Sequence, residues 1–514
     1  MVSSENAAIT TGSVTAFAGT TEGLEQLRVL MDMGIESLTT AASKRSGPVP
    51  PGGPDATAAA VDELLRGKKL LTDEPSVDRL RQLFDLYATW ATDLTHPSVA
   101  SRMQCPPTAA GAAAEVVAAV LNQSLQSWES GPFAIELERR LLREMASWVG
   151  FGETASGTLT PGGSISNLVG LLLSRDHALR NAANCDASQT GLTGIQAVPR
   201  VLCSESTHFS ITRAIGFLGL GRDAVISVPV DEAGRMIPQE ARRVLDGLSP
   251  HELPVAVVAT AGTTDHGAFD PLPELAEIAE EHRVWLHVDA AYGIGALFSP
   301  ALTHLLQGVE RADSVTFDMH KFGWTPASSS VLLVRDASTM QPLSQRSAYL
   351  NPADEEAAGL GGLLSSSMQT TRRSDALKIA ACLLLTGREG LGAWVDSCHA
   401  QARHAAAKIM QMPHFDLSAE PQLSVVVFRC TPQKHSNIHD ENAWHAAIRA
   451  RLMTEGQALV ARTRLRRADG EMQAHLRLVF LTRKPLPSRS TPFWTTSPLQ
   501  LPTSTLDTPG TATG

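Results

Sequence analysis

Short β-rich runs alternate with helix-length segments between residues about 150 and 335, and this alternation restricts the fold more than any other feature of the chain. The runs are rich in Val, Leu and Ile and lie at 198–202, 224–228, 255–260, 284–288, 314–317 and 330–334. Such a pattern predicts βαβ units and a mostly parallel sheet covered by helices. Ligands bind at the carboxyl ends of the strands in a sheet of this kind, and Asp289 follows the run 284–288 at such an end.

A lysine, Lys321, follows Asp289 by 32 residues. An amine and a buried carboxylate are the two groups that pyridoxal phosphate (PLP) requires of a protein. The amine binds the cofactor aldehyde, and the carboxylate keeps the ring nitrogen protonated. Taken singly, Asp289 is more often a strand-end cap or an ion-pair partner, and Lys321 a solvated surface charge. The pair and its neighbours together favour a cofactor site.

Three further segments carry side chains suited to that cofactor. Residues 160–167, Thr-Pro-Gly-Gly-Ser-Ile-Ser-Asn, run into an apolar helical stretch and predict a phosphate-binding loop with hydroxyl donors from Ser164 and Ser166. His208 precedes a predicted helix, where its ring could stack on a pyridine, and residues 259–264 place hydroxyl groups at the end of a strand. A capped helix without a ligand, or a half-buried histidine, also explains these segments when each is taken alone.

In this order and spacing, the segments resemble the group II PLP-dependent amino acid decarboxylases over residues about 75–480. The resemblance implies an α/β architecture, the PLP-dependent transferase fold of the aspartate aminotransferase type, with a large domain on a mostly parallel sheet and a smaller C-terminal α+β domain. It implies that Lys321 is the Schiff-base lysine and that Asp289 pairs with the pyridine nitrogen. His208 would stack on one ring face and Ala291 would pack against the other. The residues implied to bind the phosphate or to lie near the ring are Gly163, Ser164, His320 and Thr264.

The resemblance also concerns residues beyond Lys321. Tyr349 stands 28 residues later in a polar loop, and a tyrosine in this region of the family protonates the carbanion left when carbon dioxide departs. A packed aromatic is the plainer interpretation of Tyr349. Arg372 or Arg373 matches a family arginine placed before the small domain. The chain departs from the family after residues 476–481, where a Pro/Ser/Thr-rich tail stands in place of a terminal helix.

The sequence therefore predicts a carboxy-lyase that converts an L-amino acid into an amine and carbon dioxide. The sequence leaves two substrates open, 2,4-diaminobutyrate and an acidic amino acid, because different segments are similar to decarboxylases of different substrates. Residues 128–132 and 321–326 are similar to diaminobutyrate decarboxylases, whereas residues 161–167 and 267–270 are similar to glutamate and cysteine-sulfinate decarboxylases. The alternatives are an aldehyde synthase or aminotransferase on the same fold and an inactive pseudoenzyme. Residues 103–105 are expected to form part of the substrate pocket.

Composition excludes several classes of partner. A net charge of −10 lacks the basic footprint of a nucleic-acid-binding protein. The six cysteines are scattered without zinc-site spacing, which predicts reduced thiols and no metal site. We expect a cytoplasmic protein without membrane association, because no basic region leads into an apolar stretch at the N-terminus. The resemblance implies a small-molecule substrate and a homodimer with its active site at the interface.

The pattern along the chain predicts five regions. They are a weakly ordered N-terminal lead-in (1–65), a helical segment (66–145), the large PLP-binding domain (146–364), the small C-terminal domain (365–484) and a disordered tail (485–514).

Overall fold

The structure is a computed structural model that describes residues 16–66, 70, 75–347, 349–431, 440–466 and 470–482. The helices are α1 (Thr21–Lys44), α2 (Gly53–Leu65), α3 (Val77–Trp90), α4 (Ala109–Leu121), α5 (Pro132–Trp148), α6 (Gly163–Ala183), α7 (Ala187–Thr190), α8 (Ser210–Phe217), α9 (Pro238–Asp246), α10 (Leu272–His282), α11 (Met319–Phe322), α12 (Ala353–Ala357), α13 (Ala376–Met410) and α14 (Glu441–Thr454). The strands are β1 (Val99–Ala100), β2 (Ser156–Thr160), β3 (Val198–Ser204), β4 (Val225–Val228), β5 (Glu252–Thr260), β6 (Trp285–Asp289), β7 (Ser314–Asp318), β8 (Ser330–Val334), β9 (Phe415–Leu417), β10 (Val425–Cys430), β11 (Leu459–Arg466) and β12 (Met472–Val479). Within these ranges, no helix combines the length and the apolar character needed to cross a membrane.

The larger compact unit comprises the described residues of 103–429 and 478–483 and is built on a sheet of order β2-β8-β7-β6-β5-β3-β4. Five neighbouring strands of this sheet run parallel to one another, namely β7, β6, β5, β3 and β4. Strand β8 is antiparallel to both of its neighbours, β2 and β7. The α/β class and the mostly parallel sheet are thus confirmed, and the six predicted runs form β3 to β8. Strand β2 was not predicted, because Ser-Gly-Thr-Leu-Thr has little of the β-branched apolar character that marks the others.

Helix α6 covers the centre of this sheet at close range. Every residue of β6 is buried, which suits a strand covered on both faces. A Cβ built on Gly170 of α6 would lie 2.7 Å from His287 Cε1 on β6, so only glycine allows this approach. The N-terminus of α6 and the carboxyl end of β6 are thereby brought together.

The smaller unit comprises the described residues of 1–102 and 430–477. Contrary to the predicted weakly ordered lead-in, α1 and α2 occupy most of 21–65. Thr20 caps α1 by accepting a hydrogen bond from Gly23 N at 3.0 Å, and Ser37 on α1 donates to Asp85 Oδ1 on α3 at 2.5 Å. The contact between Ser37 and Asp85 joins residues 48 positions apart and cannot be inferred from local composition.

These units divide the chain differently from the predicted regions. Helix α13 and strands β9 and β10 belong to the larger unit, where Lys378 Nζ on α13 lies 2.6 Å from Glu115 Oε1 on α4. Helix α14, strand β11 and most of β12 belong to the smaller unit, where Val99 pairs with Leu459 in a parallel ladder. The predicted tail at 485–514 and the missing terminal helix lie outside the described residues.

A buried ion pair joins α5 to the segment before α13. Arg372 Nη1 and Nη2 donate to Glu138 Oε2 and Oε1 at 2.8 and 2.7 Å, and the two side chains are 5% and 1% exposed. Arg372→Met should lower the free energy of unfolding of the apoprotein by about 3–5 kcal/mol, because it leaves the Glu138 charge buried without its cation. Denaturant titration measures this loss. Adding Glu138→Leu should recover most of it, and a loss below about 1 kcal/mol would contradict the assignment.

Candidate active site

A cavity of about 260 Å³ lies in the larger unit at the carboxyl ends of β5, β6 and β7. Parallel strands bring the residues that follow them to one edge of the sheet, so segments far apart in the chain meet there. The structure brings eight of the predicted site residues to the cavity wall. They are Gly163, Ser164, His208, Thr264, Asp289, Ala291, His320 and Lys321.

Asp289 ends β6 and is only 4% exposed. Its Oδ2 accepts a hydrogen bond from Asn167 Nδ2 at 2.8 Å, and its Oδ1 accepts one from Ala291 N at 3.0 Å. A buried carboxylate that accepts two hydrogen bonds is stabilised in its charged form. Asp289 thus presents a fixed negative charge to the cavity.

Lys321 lies on α11, directly after β7, and its Nζ is 2.9 Å from Asp318 Oδ2. Asp318 was missed by sequence reasoning, although its place at the end of β7, as Asp289 ends β6, is a signal that could have found it. Burial by itself would raise the pKa of Asp318, but Lys321 and His320 together hold that pKa below its ordinary value. Asp318 Oδ1 is buried and has no hydrogen-bond partner within the described part of the chain.

His208 precedes α8, and Ser210 at the start of that helix contacts one nitrogen of its ring. Its Nδ1 lies 2.8 Å from Ser210 Oγ, and Ser210 N donates to the same nitrogen at 3.3 Å. Burial lowers the pKa of His208, and the opposing influence of Asp289 does not reverse this. The ring is therefore neutral at physiological pH and presents a flat face at the cavity wall.

The predicted phosphate loop is the N-terminus of α6. Gly163 and Ser164 stand in its first turn, where backbone N–H groups have no partner inside the helix. Ser166 is a correction to the prediction. Its Oγ is buried at 2.7 Å from Thr160 Oγ1 and 2.9 Å from Ser330 Oγ, so this hydroxyl binds other residues of the protein interior.

Three residues singled out beyond Lys321 do not line the cavity. The side chain of Tyr349 is 83% exposed. Arg372 is engaged by Glu138, and Arg373 is half-exposed and forms an ion pair with Glu115. The structure thus leaves the proton-donor role of Tyr349 as a prediction.

Two further wall residues were given no role from the sequence. Asn167 was part of the phosphate-loop motif, but its contact with Asp289 depends on the packing of α6 against β6. Tyr292 is buried and lies 2.6 Å from Ser424 through its hydroxyl. Of the predicted pocket segment 103–105, Met103 reaches the wall, and Cys105 Sγ donates to His320 O at 3.2 Å.

This donor set fits PLP. An amine, a buried carboxylate, a neutral imidazole and a glycine-rich helix N-terminus surround one cavity, as the aldehyde, ring nitrogen, ring face and phosphate of that cofactor require. A Cβ built on Gly163 would lie 3.1 Å from Asp318 Oδ1 and 3.3 Å from Ala291 Cβ, so glycine keeps this part of the wall open. Among the described residues, no group of three or more His, Cys, Asp or Glu side chains could hold a metal ion.

Comparisons with known proteins agree with this fit. The family described as the pyridoxal-dependent decarboxylase conserved domain matches residues 78–431. L-2,4-diaminobutyrate decarboxylase from Rhizobium meliloti is 39% identical over 395 residues, which are 76% of this chain and 75% of that protein. Cysteine sulfinic acid decarboxylase from Rattus norvegicus is 34% identical over 323 residues, which are 62% of this chain and 64% of that protein.

A solved structure extends the similarity to the fold. It is the glutamate decarboxylase domain of a diaminobutyrate-pyruvate transaminase and L-2,4-diaminobutyrate decarboxylase from Vibrio parahaemolyticus. The two chains are 29% identical and superpose with a TM-score of 0.77, over 90% of this chain and 93% of that one. The predicted fold type is confirmed.

Proposed function

The chain belongs to the pyridoxal-dependent decarboxylase family, and from that premise we propose that it is a decarboxylase of L-2,4-diaminobutyrate. Its cofactor is PLP and its reaction is the release of carbon dioxide from an amino acid. What is proposed is the substrate side chain and the role of each site residue. The similarity to the L-2,4-diaminobutyrate decarboxylase from Rhizobium meliloti is the observation that carries the choice of substrate.

When bound, PLP withdraws the electrons that carbon dioxide leaves behind at the substrate α-carbon. In our proposal Lys321 would hold the cofactor covalently through its amine. Asp289 keeps the ring nitrogen protonated through its buried negative charge, and His208 packs on the ring face. The first turn of α6, with Gly163 and Ser164, binds the phosphate, and His320 and Thr264 complete the wall.

The ionisable side chains of the wall agree with a cationic substrate. Asp289 and Asp318 are both buried carboxylates, whereas Lys321 is the one lysine that the described structure places there, and no arginine joins it. Because Asp289 is paired with the ring nitrogen in our proposal, Asp318 is the remaining carboxylate of the wall. No arginine of the described wall could pair with a second carboxylate or a sulfinate of a substrate. The second amine of 2,4-diaminobutyrate carries the opposite charge, and the similarity to the Rhizobium meliloti enzyme supports the same choice.

A comparison of substrates tests this proposal. The holoprotein is incubated separately with L-2,4-diaminobutyrate, L-glutamate, L-aspartate and L-cysteine sulfinate, and carbon dioxide and amine are measured. We expect kcat/KM to be highest for diaminobutyrate by about 100-fold or more, which corresponds to ~2.7 kcal/mol of discrimination. Faster release of carbon dioxide from any acidic substrate would overturn the substrate assignment and leave the reaction class intact.

Tyr349 is proposed as the acid that returns a proton to the α-carbon. Tyr349 is exposed and does not line the described cavity, so its loop would have to move to bring the hydroxyl there. Tyr349→Phe should produce less amine and, in air, some aldehyde and ammonia with uptake of oxygen. The reason is that the α-carbon stays without its proton for longer, so oxygen can react there. Oxygen-electrode and product assays measure this change. An unchanged amine yield without oxygen uptake would leave the proton to His320 or to water.

We also propose that the protein is a homodimer with its active site at the interface. An apolar face of α1 supports this, because Leu24, Met31, Ile35 and Leu38 lie at helical spacing and are all exposed. Sedimentation at micromolar concentration should give twice the chain mass. A monomer that is fully active would contradict the proposal.

A cytoplasmic location is proposed from the cysteines. None of the six described cysteines forms a disulfide and five are buried, as is usual in a reducing compartment. Fractionation of cells that produce the protein tests the location, and recovery outside the cytoplasmic fraction would contradict it.

A further inference from the structure

At the cavity wall, Asn167 connects two buried side chains of β6. Its Nδ2 donates to Asp289 Oδ2 at 2.8 Å, and its Oδ1 lies 3.0 Å from His287 Nε2. Asn167 is 1% exposed and His287 is fully buried, so water does not compete for these contacts.

The direction of every hydrogen bond in this chain of contacts follows from chemistry. A carboxylate only accepts, so the amide of Asn167 must turn its NH₂ group to Asp289 and its oxygen to His287. That oxygen also only accepts, and therefore His287 Nε2 carries a proton. Burial lowers the pKa of His287 to about 4, against the opposing influence of Asp289, so the ring is neutral and Nδ1 is bare.

The remaining links continue in the same direction. Ser314 Oγ lies 2.8 Å from His287 Nδ1 and must donate to that bare nitrogen. The same hydroxyl accepts from Trp285 Nε1 at 2.8 Å. Each group from Trp285 to Asn167 thus donates toward Asp289, and aligned donors of this kind strengthen one another in a buried site.

A second branch leads from Asn167 to His208. Asn167 Nδ2 also donates to Ser210 Oγ at 3.0 Å, and Ser210 Oγ lies 2.8 Å from His208 Nδ1. Because Ser210 N donates to that same nitrogen, Nδ1 is an acceptor and the proton of the neutral ring is on Nε2. One amide therefore contacts Asp289 directly and His208 through Ser210 Oγ, in agreement with the tautomer that Ser210 N fixes.

We propose that Asn167 and His287 are positioning residues that hold Asp289 as an oriented anion, and that Asn167 at the same time supports the tautomer of His208 through Ser210 Oγ. Neither acts on the substrate. The inference rests on the proposed function, because it assigns Asp289 to the ring nitrogen and His208 to the ring face. A buried donor chain that ends on a carboxylate holds its negative charge in place for the ring nitrogen.

Two substitutions of His287 separate this role from packing. The side-chain amide of His287→Gln can still donate to Asn167 Oδ1, whereas His287→Leu fills a similar volume without a donor. We expect His287→Leu to lower kcat by about 10- to 100-fold with KM little changed, the range of one hydrogen bond to a charged group. His287→Gln should retain a kcat at least about tenfold above that of His287→Leu. An equal loss of kcat in both variants would overturn the proposal, because the retained donor of His287→Gln would then have no effect. A role in packing alone would not make His287→Gln the more active of the two.

A measurement on the apoprotein makes the test independent of substrate and cofactor. With ¹⁵N-labelled histidine, the His287 resonance is identified as the signal absent from His287→Gln. It should report a neutral ring protonated on Nε2 that does not titrate between about pH 6 and 8. A ring that titrates there, or carries its proton on Nδ1, would overturn the inference even if diaminobutyrate proves to be the substrate. A wrong substrate assignment leaves this readout unchanged.

Ser314→Ala keeps the test decisive if His287→Leu does not fold. It removes one hydroxyl outside the cavity and takes away the donor that faces Nδ1. The histidine spectrum should then show a mixture of tautomers, and kcat should fall by about 3- to 10-fold. A single unchanged tautomer with wild-type kcat would show that the chain of donors has no influence on the site.

Discussion

Lys321→Ala is expected to release no carbon dioxide and to hold no cofactor that borohydride can fix to the protein. The amine of Lys321 is the group that binds the cofactor aldehyde in our assignment, and Lys321 is the one lysine on the cavity wall in the described structure. Carbon dioxide release and mass spectrometry after reduction measure the two losses. Reducible cofactor that persists on the variant would move the attachment to another lysine.

Lys321→Arg is the matched control for the loss of charge. Lys321 Nζ lies 2.9 Å from the buried Asp318, and arginine retains a positive charge there but cannot form the covalent bond. Both variants should be inactive. Only Lys321→Ala should also lower the melting temperature of the apoprotein at neutral pH.

The pH dependence of that melting temperature gives a further check. Lys321 helps to hold the pKa of Asp318 below its ordinary value, and the stabilisation from a lowered aspartate pKa is present above the unfolded pKa and lost as pH falls. Without Lys321, burial should raise the pKa of Asp318 instead. The difference in melting temperature between wild type and Lys321→Ala should therefore begin to narrow as pH falls through the raised pKa of Asp318 in the variant. It should go on narrowing below the ordinary aspartate pKa of about 4, where Asp318 of the wild type becomes protonated.

The sequence predicts the strands well because the pattern that marks each strand lies within a few consecutive residues. The runs that became β3 to β8 are short, apolar and separated by helix-length segments, and no distant contact is needed to recognise them. Asp289 and Lys321 could be placed at one edge of the sheet for the same reason, since parallel strands bring their carboxyl ends together.

Features that depend on distant partners could not be predicted in the same way. The pairing of β1 with β11 joins residues about 360 positions apart, and no local pattern contains it. From the sequence alone, Asn167 is a helix residue after a glycine-rich loop. Its contact with Asp289 exists only because Gly170 lets α6 approach β6. Ser166 shows the converse: its hydroxyl suits a phosphate by type, but the geometry directs it to Thr160 and Ser330.

Asp289→Asn should keep the protein folded and able to bind the cofactor, but should lower kcat by about 1000-fold or more, which corresponds to ~4 kcal/mol of barrier. The substitution preserves volume and removes the negative charge that keeps the ring nitrogen protonated, so the ring becomes a poor acceptor of electrons. It also leaves one oxygen to satisfy the two donors Asn167 Nδ2 and Ala291 N, and a modest loss of stability is expected.

The same substitution at Asp318 provides the control, because Asp318 is equally buried in the wall of the same cavity but ends the neighbouring strand. Asp318→Asn should reduce kcat far less than Asp289→Asn. A cofactor methylated at the ring nitrogen carries a fixed positive charge, so it should restore part of the activity of Asp289→Asn and none of that of Lys321→Ala. If kcat of Asp289→Asn stays within about tenfold of wild type, a difference of ~1.4 kcal/mol, Asp289 is not the partner of the ring nitrogen. The donor chain through Asn167 would then stabilise a charge that the reaction does not use.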